Sequence, residues 1–321
     1  MRHLLCAALA ALAIAAPAGA RAQAYPAKPI HFVIGFPPGS SIDVISRIVL
    51  EGIRERSGAS IVVENKPGAL GALGVETVAK AAPDGYTMMP SSSATNASGP
   101  HLIRALGRFD AARDFTHLAR MVSFDIALVT NAAQGPRDAR ALLDKAKAAP
   151  DALTYGYGSG TGRVAAASFC RAAGIQVRGV PYKGQPPAVT DLIGGQIDFV
   201  AADLGALLPQ VRAKKLTAVA VLSDKRSTFL PDAPTAVELG LRGAVLVGWI
   251  GVSGPAKLPP DVVRWWTEQL RATLAAPEIQ ARIREQAMDP APLAGEPFRD
   301  FVLAEYERWG RHVTDSGIPV E

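Results

Sequence analysis

The chain has 321 residues, room for two medium domains, and its 49% apolar and 20% charged content is that of a globular protein. The net charge of +5 is spread along the chain without a Lys/Arg block, which argues against a nucleic-acid surface. Of its two cysteines, Cys6 lies in the first turns of sequence, so a chain trimmed at its N-terminus keeps only Cys170 and can form no intramolecular disulfide.

Residues 1–22 read as a signal peptide. Arg2 and His3 supply the polar start and residues 4–16 an apolar run too short to span a bilayer. Ala20, Ala22 and Ala24 close small-x-small cleavage patterns, and Cys6 comes too early to be a lipoprotein cysteine. The expected product is exported to the periplasm, with the leader removed. Cys170, inside the apolar stretch 165–173, is expected to be buried and inert.

Two stretches then follow the same order of elements. In residues 30–90 a strand at 30–35 runs through Phe36-Pro37-Pro38-Gly39-Ser40-Ser41 into a helix at 42–53. A strand at 61–63, the Asn65-Lys66-Pro67-Gly68 loop, a helix at 75–82 and a strand at 86–88 complete the unit. Residues 91–96 read as a polar loop, 110–117 as a charged connector, 122–130 as a strand and 137–149 as a helix between Pro136 and Pro150. The second unit occupies residues 153–201: a strand, the loop Gly156-Tyr157-Gly158-Ser159-Gly160-Thr161-Gly162, a helix from Val164, a strand at 177–180, Pro181-Tyr182-Lys183-Gly184, a helix at 188–193 and a strand at 197–200. A helix at 204–214, a strand at 216–222, a strand at 245–252 carrying Trp249, and helices at 260–276, 278–286 and 297–316 follow.

Two β-α-β-α-β units predict an α/β protein of two lobes, each a mostly parallel sheet flanked by helices. The strands at 122–130 and 245–252 are expected to cross between the lobes as a two-stranded hinge suited to closure on a ligand. The expected division is 23–124 with 248–321 for lobe one and 125–247 for lobe two.

Open α/β sheets bind ligands at the carboxyl ends of their strands, where helices begin. Each lobe places a Gly/Ser-rich helix start there, and backbone N–H groups at helix starts suit an anion. In the first loop the prolines stiffen the backbone, Gly39 allows close approach, Ser41 is a plausible helix cap and Asp43 sits in the first turn. The second loop misses the dinucleotide, P-loop and nucleophile-elbow spacings, which leaves a carboxylate or phosphate cradle or an ordinary turn. Arg163 opposes the helix dipole at its helix start; it either faces the cleft with an anionic partner or curls into solvent. Asp198 and Asp203 flank a strand end, as an acid/base pair or as strand-end polar contacts. His31, His101, His117 and His312 show no metal-ligand spacing.

Six segments, in this order and covering nearly all of the trimmed chain, carry a family resemblance: Tyr25-Pro26-Ala27-Lys28-Pro29-Ile30, Phe36-Pro37-Pro38-Gly39-Ser40, Val63-Glu64-Asn65-Lys66-Pro67-Gly68, the 79–87 stretch ending Pro83-Asp84-Gly85-Tyr86-Thr87, Val180-Pro181-Tyr182-Lys183-Gly184 and Leu230-Pro231-Asp232-Ala233-Pro234-Thr235. The chain resembles the Bug-type solute-binding proteins, receptors of tripartite tricarboxylate transporters. The resemblance implies a type II-like, two-lobed periplasmic binding fold, a small carboxylate ligand, no cofactor, no catalysis and an integral membrane permease as partner; a monomer that binds no nucleic acid is expected. It places ligand contacts at Phe36, Pro38, Gly39, Ser40, Ser41 and Asp43, at Ser92 and Ser93 within the 91–93 run, at Ser159, Gly160, Thr161, Gly162 and Arg163, and at Asp203. The chain departs from the family pattern in two places. Pro38-Gly39-Ser40-Ser41-Ile42-Asp43 stands for Pro-Pro-Gly-Gly-Ser-Thr-Asp, and Gly160-Thr161-Gly162-Arg163-Val164 for Gly-Thr-Ser-Ser-His. Two other readings compete. An exported α/β hydrolase needs a nucleophile elbow and a partnered histidine. The ligand-sensing domain of a regulator needs a DNA-binding segment, whereas this chain opens with an export signal.

Overall fold

The computed structural model describes residues 25–320, so the leader assignment lies outside the described residues. The first repeat forms β1 (Ile30–Ile34), α1 (Ser41–Ser57), β2 (Ile61–Asn65), α2 (Ala72–Ala79) and β3 (Thr87–Ser92), with β1 paired in parallel to both β2 and β3. Apolar side chains recur along α1 at Ile42, Ile45, Val49 and Ile53, all buried, and Gly58 ends the helix in the left-handed region. Of the polar loop expected at 91–96, Ser91 and Ser92 end β3, and the rest belongs to a π-helical turn, Ser93–Ser98, that is entirely buried. The short helix Gly99–Leu102 follows it.

A single 17-residue strand, β4 (Phe115–Asn131), absorbs both the end of the expected connector and the first crossing. After α3 (Ala139–Ala148), the second repeat gives β5 (Thr154–Tyr157), α4 (Gly160–Ala173), β6 (Arg178–Pro181), α5 (Gln185–Ile193) and β7 (Phe199–Asp203), again with β5 parallel to both other strands. Then come α6 (Leu204–Arg212), β8 (Leu216–Val221), β9 (Val247–Pro255), α7 (Pro260–Leu274), α8 (Pro277–Glu285), β10 (Asp289–Ala294) and α9 (Glu296–Ser316).

The strand order β2-β1-β3-β9-β4-β7-β5-β6 joins two parallel trios through antiparallel strands. Residues 115–125 of β4 pair with β9 in lobe one, and residues 126–130 pair with β7 in lobe two. The changeover lies at Asp125 and Ile126. There Leu222 N–H donates to Ile126 O and Leu246 N–H donates to Leu222 O, at 2.7 and 2.8 Å. The two-lobed fold expected from the repeats is therefore realised around one continuous strand. β8 and β10 add antiparallel pairings to opposite halves of β4.

Lobe one buries Trp249 of β9 edge-on against Phe298 and Phe301 of α9, and Trp266 of α7, whose indole N–H donates to Tyr25 Oη at 2.7 Å. These rings lock the C-terminal helices onto the sheet begun by β1. Cys170 is buried in α4, and burial pushes its thiol up to about 12.

Candidate ligand-binding site

The carboxyl ends of both parallel trios face one another across a cavity of about 40 Å³. From lobe one it is lined by Phe36, Ser40, Ser41 and Ile42 at the start of α1, by Ser92, Ser93 and Ala94 at the end of β3, and by Phe124 and Ile250 beside the strand crossing. Lobe two contributes Gly158, Ser159 and Thr161 at the start of α4, Gln185 at the start of α5 and Asp203 at the end of β7. Five element termini thus converge, three of them through short hydroxyl side chains, the arrangement open sheets use for small ligands.

The α1 loop is built to be rigid. Gly39 has φ +78°, and its N–H donates to Asp43 Oδ2 at 3.0 Å. Asn65 at the end of β2 donates to Phe36 O at 3.0 Å and to Asp43 Oδ1 at 2.9 Å. Arg47, one turn further along α1, adds a 3.0 Å ion pair to Asp43. Burial opposes ionisation of Asp43, but hydrogen bonds from Arg47, Asn65 and the Gly39 N–H outweigh it and hold the carboxyl below its usual range. Asp43 therefore braces the loop from behind and does not line the cavity. The helix cap is Ser40, not Ser41. Its extended backbone starts α1 one residue earlier than expected, and its hydroxyl donates back to Pro37 O at 2.7 Å. That shift leaves Ser41 free to point across the cleft.

On the opposite wall Ser159 caps α4, accepting from Gly162 N–H at 3.1 Å. Ser92 caps the π turn and accepts from Thr95 N–H. At the cavity, among the described residues, two hydrogen bonds join the lobes: Ser41 Oγ donates to Asp203 Oδ1, and the hydroxyls of Ser93 and Thr161 lie 3.1 Å apart. Asp203 is only 4% exposed. It accepts from Gln185 Nε2 at 2.5 Å and caps α6 through Ala206 N–H at 3.0 Å. Burial pushes its carboxyl above the usual range against these three hydrogen bonds.

Of the residues singled out from the sequence, Phe36, Ser40, Ser41, Ser92, Ser93, Ser159, Thr161 and Asp203 line the cavity. Pro38 and Gly39 form the exposed outside of the first loop. Gly160 and Gly162 are spacers: a Cβ at Gly162 would lie 2.6 Å from Ala201 O, and one at Gly160 would lie 2.8 Å from Ser98 Oγ across the lobe boundary. Arg163 neither reaches the cavity nor curls into solvent. It is buried with its guanidinium 5.2 Å from the centre of the Tyr157 ring, a cation–π contact inside lobe two. Gln185 and Phe124, with Ile42, Ala94, Gly158 and Ile250, also line the cavity although the sequence did not single them out. Gln185 follows Gly184 at a helix start, the same signal that marked the other loops. Phe124 is seated by Gly248, where a Cβ would come within 2.0 Å of its ring. Asp198 lies apart from the cavity, accepting from Thr154 N–H at 2.9 Å and pairing with Lys145 at 3.0 Å.

The family model described as tripartite tricarboxylate transporter family receptor matches residues 45–318. The chain belongs to this receptor family. It is 31% identical to the protein BugT of Bordetella pertussis over 316 residues, covering 98% of this chain and 96% of that relative. The solved periplasmic binding protein BugD superposes with a TM-score of 0.86 at 28% identity, over 92% of this chain and all of BugD. The R. palustris protein Rpa4515, solved with adipate, gives a TM-score of 0.88 at 26% identity, again over 92% of this chain and all of that one. The fold is thus that of a Bug-type periplasmic binding protein of this receptor family.

Proposed function

We propose that this protein is an exported receptor that captures a small organic carboxylate between its lobes and delivers it to an integral membrane permease, without catalysing a reaction on it. The observation that carries the reading is the convergence of the α1, α4 and α5 starts with the β3 end, through Ser41, Ser92, Ser93, Ser159, Thr161 and Gln185, on one cavity between the lobes. Hydroxyls and helix-start N–H groups hold a carboxylate, with water bridging where a direct contact falls short. The bound adipate of the relative Rpa4515 supports the ligand class. Among the described residues no histidine lines the cavity, so the partnered histidine that the hydrolase reading needs does not stand beside its serines. Ligand entry requires the Ser41–Asp203 and Ser93–Thr161 bonds to part, with lobe one (23–124 and 248–321) and lobe two (125–247) swinging about β4 and β9. The receptor works as a monomer in the periplasm after loss of residues 1–22.

A thermal-shift screen of the trimmed protein against small carboxylates tests the reading. A ligand present at 100 times its dissociation constant adds about 2.7 kcal/mol of stability. A protein stabilised by none of them, yet active on an ester, would overturn it.

A further inference from the structure

A second cavity lies between the lobes, away from the cleft. It has a volume of about 400 Å³ and runs between the C-terminal half of α4 in lobe two and the last turns of α9 in lobe one. That volume is enough for a small molecule. Ser168 and Arg171 line it from α4, His312 and Asp315 from α9. The members of each pair are three residues apart, so they sit one above the other on a single helix face. Ser168 follows Gly160 by eight residues, which places it roughly 12 Å along α4 from the helix start at the cleft.

Ser168 is 4% exposed, and its Oγ has no hydrogen-bond partner among the described residues. A serine inside a helix often returns its hydroxyl to the carbonyl one turn back, as Ser46 does in α1, donating to Ile42 O at 2.6 Å. A buried hydroxyl left unpaired is costly and calls for a partner. The charges beside it are uncommitted as well. Arg171 and Asp315 are exposed, and neither takes part in an ion pair among the described residues. His312 is half-buried, and burial holds its imidazole below the usual range, so at about pH 7.5 it adds no charge. The α4 wall thus offers a guanidinium and a hydroxyl, and the α9 wall a carboxylate and a neutral imidazole. A plain anion would gain Arg171 and be opposed by Asp315; a plain cation would meet the reverse.

We propose that this cavity is a second binding site, for a small zwitterion whose carboxylate rests on Arg171 and Ser168 Oγ and whose ammonium rests on Asp315. Such an occupant touches both lobes and ties α4 to α9. It therefore binds one arrangement of the lobes better than the other, and by linkage it and a cleft ligand that closes the lobes strengthen one another. The coupling rests on the reading of the cleft as one that closes; the site itself does not.

The test is calorimetry at about pH 7.5 with glycine, β-alanine, 4-aminobutyrate and 6-aminohexanoate, with acetate and methylammonium as the single-charge halves. The expected result is binding by at least one zwitterion, roughly tenfold or more tighter than either half. Arg171→Ala and Asp315→Ala, both at exposed positions, should each weaken it by roughly tenfold or more. Ser168→Ala should weaken it too, while the melting temperature without ligand holds or rises, because an unpaired buried hydroxyl is removed and alanine favours the helix. A merely structural Ser168 would lower that temperature instead. Gly160→Ala, whose added methyl separates the lobes roughly 12 Å away, should also weaken the zwitterion. An affinity that Arg171→Ala leaves unchanged places the zwitterion in the cleft or elsewhere and overturns the site. Acetate binding as tightly as the zwitterions overturns the ligand class. An affinity unchanged in Gly160→Ala overturns the tie between the lobes. Binding by none of the zwitterions overturns the whole inference, while the carboxylate reading of the cleft stands or falls on its own screen.

Discussion

Gly160 offers the sharpest handle on whether the cleft works by closing. It is the first residue of α4 in lobe two, and it lies against the π turn of lobe one. A Cβ built there would come 2.8 Å from Ser98 Oγ and 3.1 Å from Ala94 O. Ordinary contacts begin several tenths of an ångström further out, and Ser98 is itself tied to Ser93 O at 2.9 Å, so it cannot simply rotate away. Gly160→Ala therefore wedges the lobes apart only when they are closed. Overpacking of this kind costs about 1–3 kcal/mol, which at 1.4 kcal/mol per tenfold lowers affinity for a captured acid by roughly 5- to 150-fold. The open protein meets no clash, and alanine is a better helix residue than glycine by up to about 1 kcal/mol. The melting temperature without ligand should hold or rise while affinity falls. Calorimetry and thermal melts on both proteins separate the two effects. Unchanged affinity would refute closure onto the π turn as the binding step. A lowered ligand-free melting temperature would mean that the lobes rest closed without ligand.

Two further outcomes follow from hydrogen-bonded polar side chains. Asn65→Ala removes the donors to Phe36 O and Asp43 Oδ1 and should cost about 1–3 kcal/mol, read as a lower urea midpoint, with ligand affinity lost as the first loop slackens. Asn65→Asp, which cannot donate, should do no better. His117 is buried and neutral, donating from Nε2 to Ala111 O while Ser253 Oγ lies 2.8 Å from Nδ1. Burial lowers it to about 4 from an ordinary 6.5. Its folded value is depressed, so the unfolded chain takes the proton first. Its contribution is whole above pH 6.5 and drains away down to pH 4, by about 3 kcal/mol at most. Urea titrations across that window should show the loss, and His117→Gln should flatten that part of the curve; an equal slope in both would remove His117 as its source.

The repeats were legible because hydrophobic periodicity and Gly/Pro punctuation are local signals. They located both parallel trios, and the helix starts that meet at the cavity follow from them. What escaped the sequence was decided by tertiary pairing. No element is expected from the sequence over Asp289–Ala294, yet β10 forms there against β4, prolines being tolerated at a sheet edge. Residues 91–96 look like a polar loop, but Ser92 ends β3 and caps a buried π-helical turn over Ser93–Ser98. Ser41 and Ser40 exchange roles by one residue, a shift no propensity resolves. Arg163 is unfavourable at its helix start by any local rule, and only the position of Tyr157 shows what it packs on.

The strand crossing also fixes, through its register, how the second lobe is threaded into the first. Asp125 of β4 and Val247 of β9 are direct partners across the ladder, and everything between them in sequence builds the second lobe. Remove those residues, bridge the partners with a two-residue turn, and β4 and β9 become an ordinary hairpin. Lobe two is topologically a cargo inserted at a hairpin tip. The same point would accept a reporter domain whose termini lie about one strand spacing apart, roughly 5 Å.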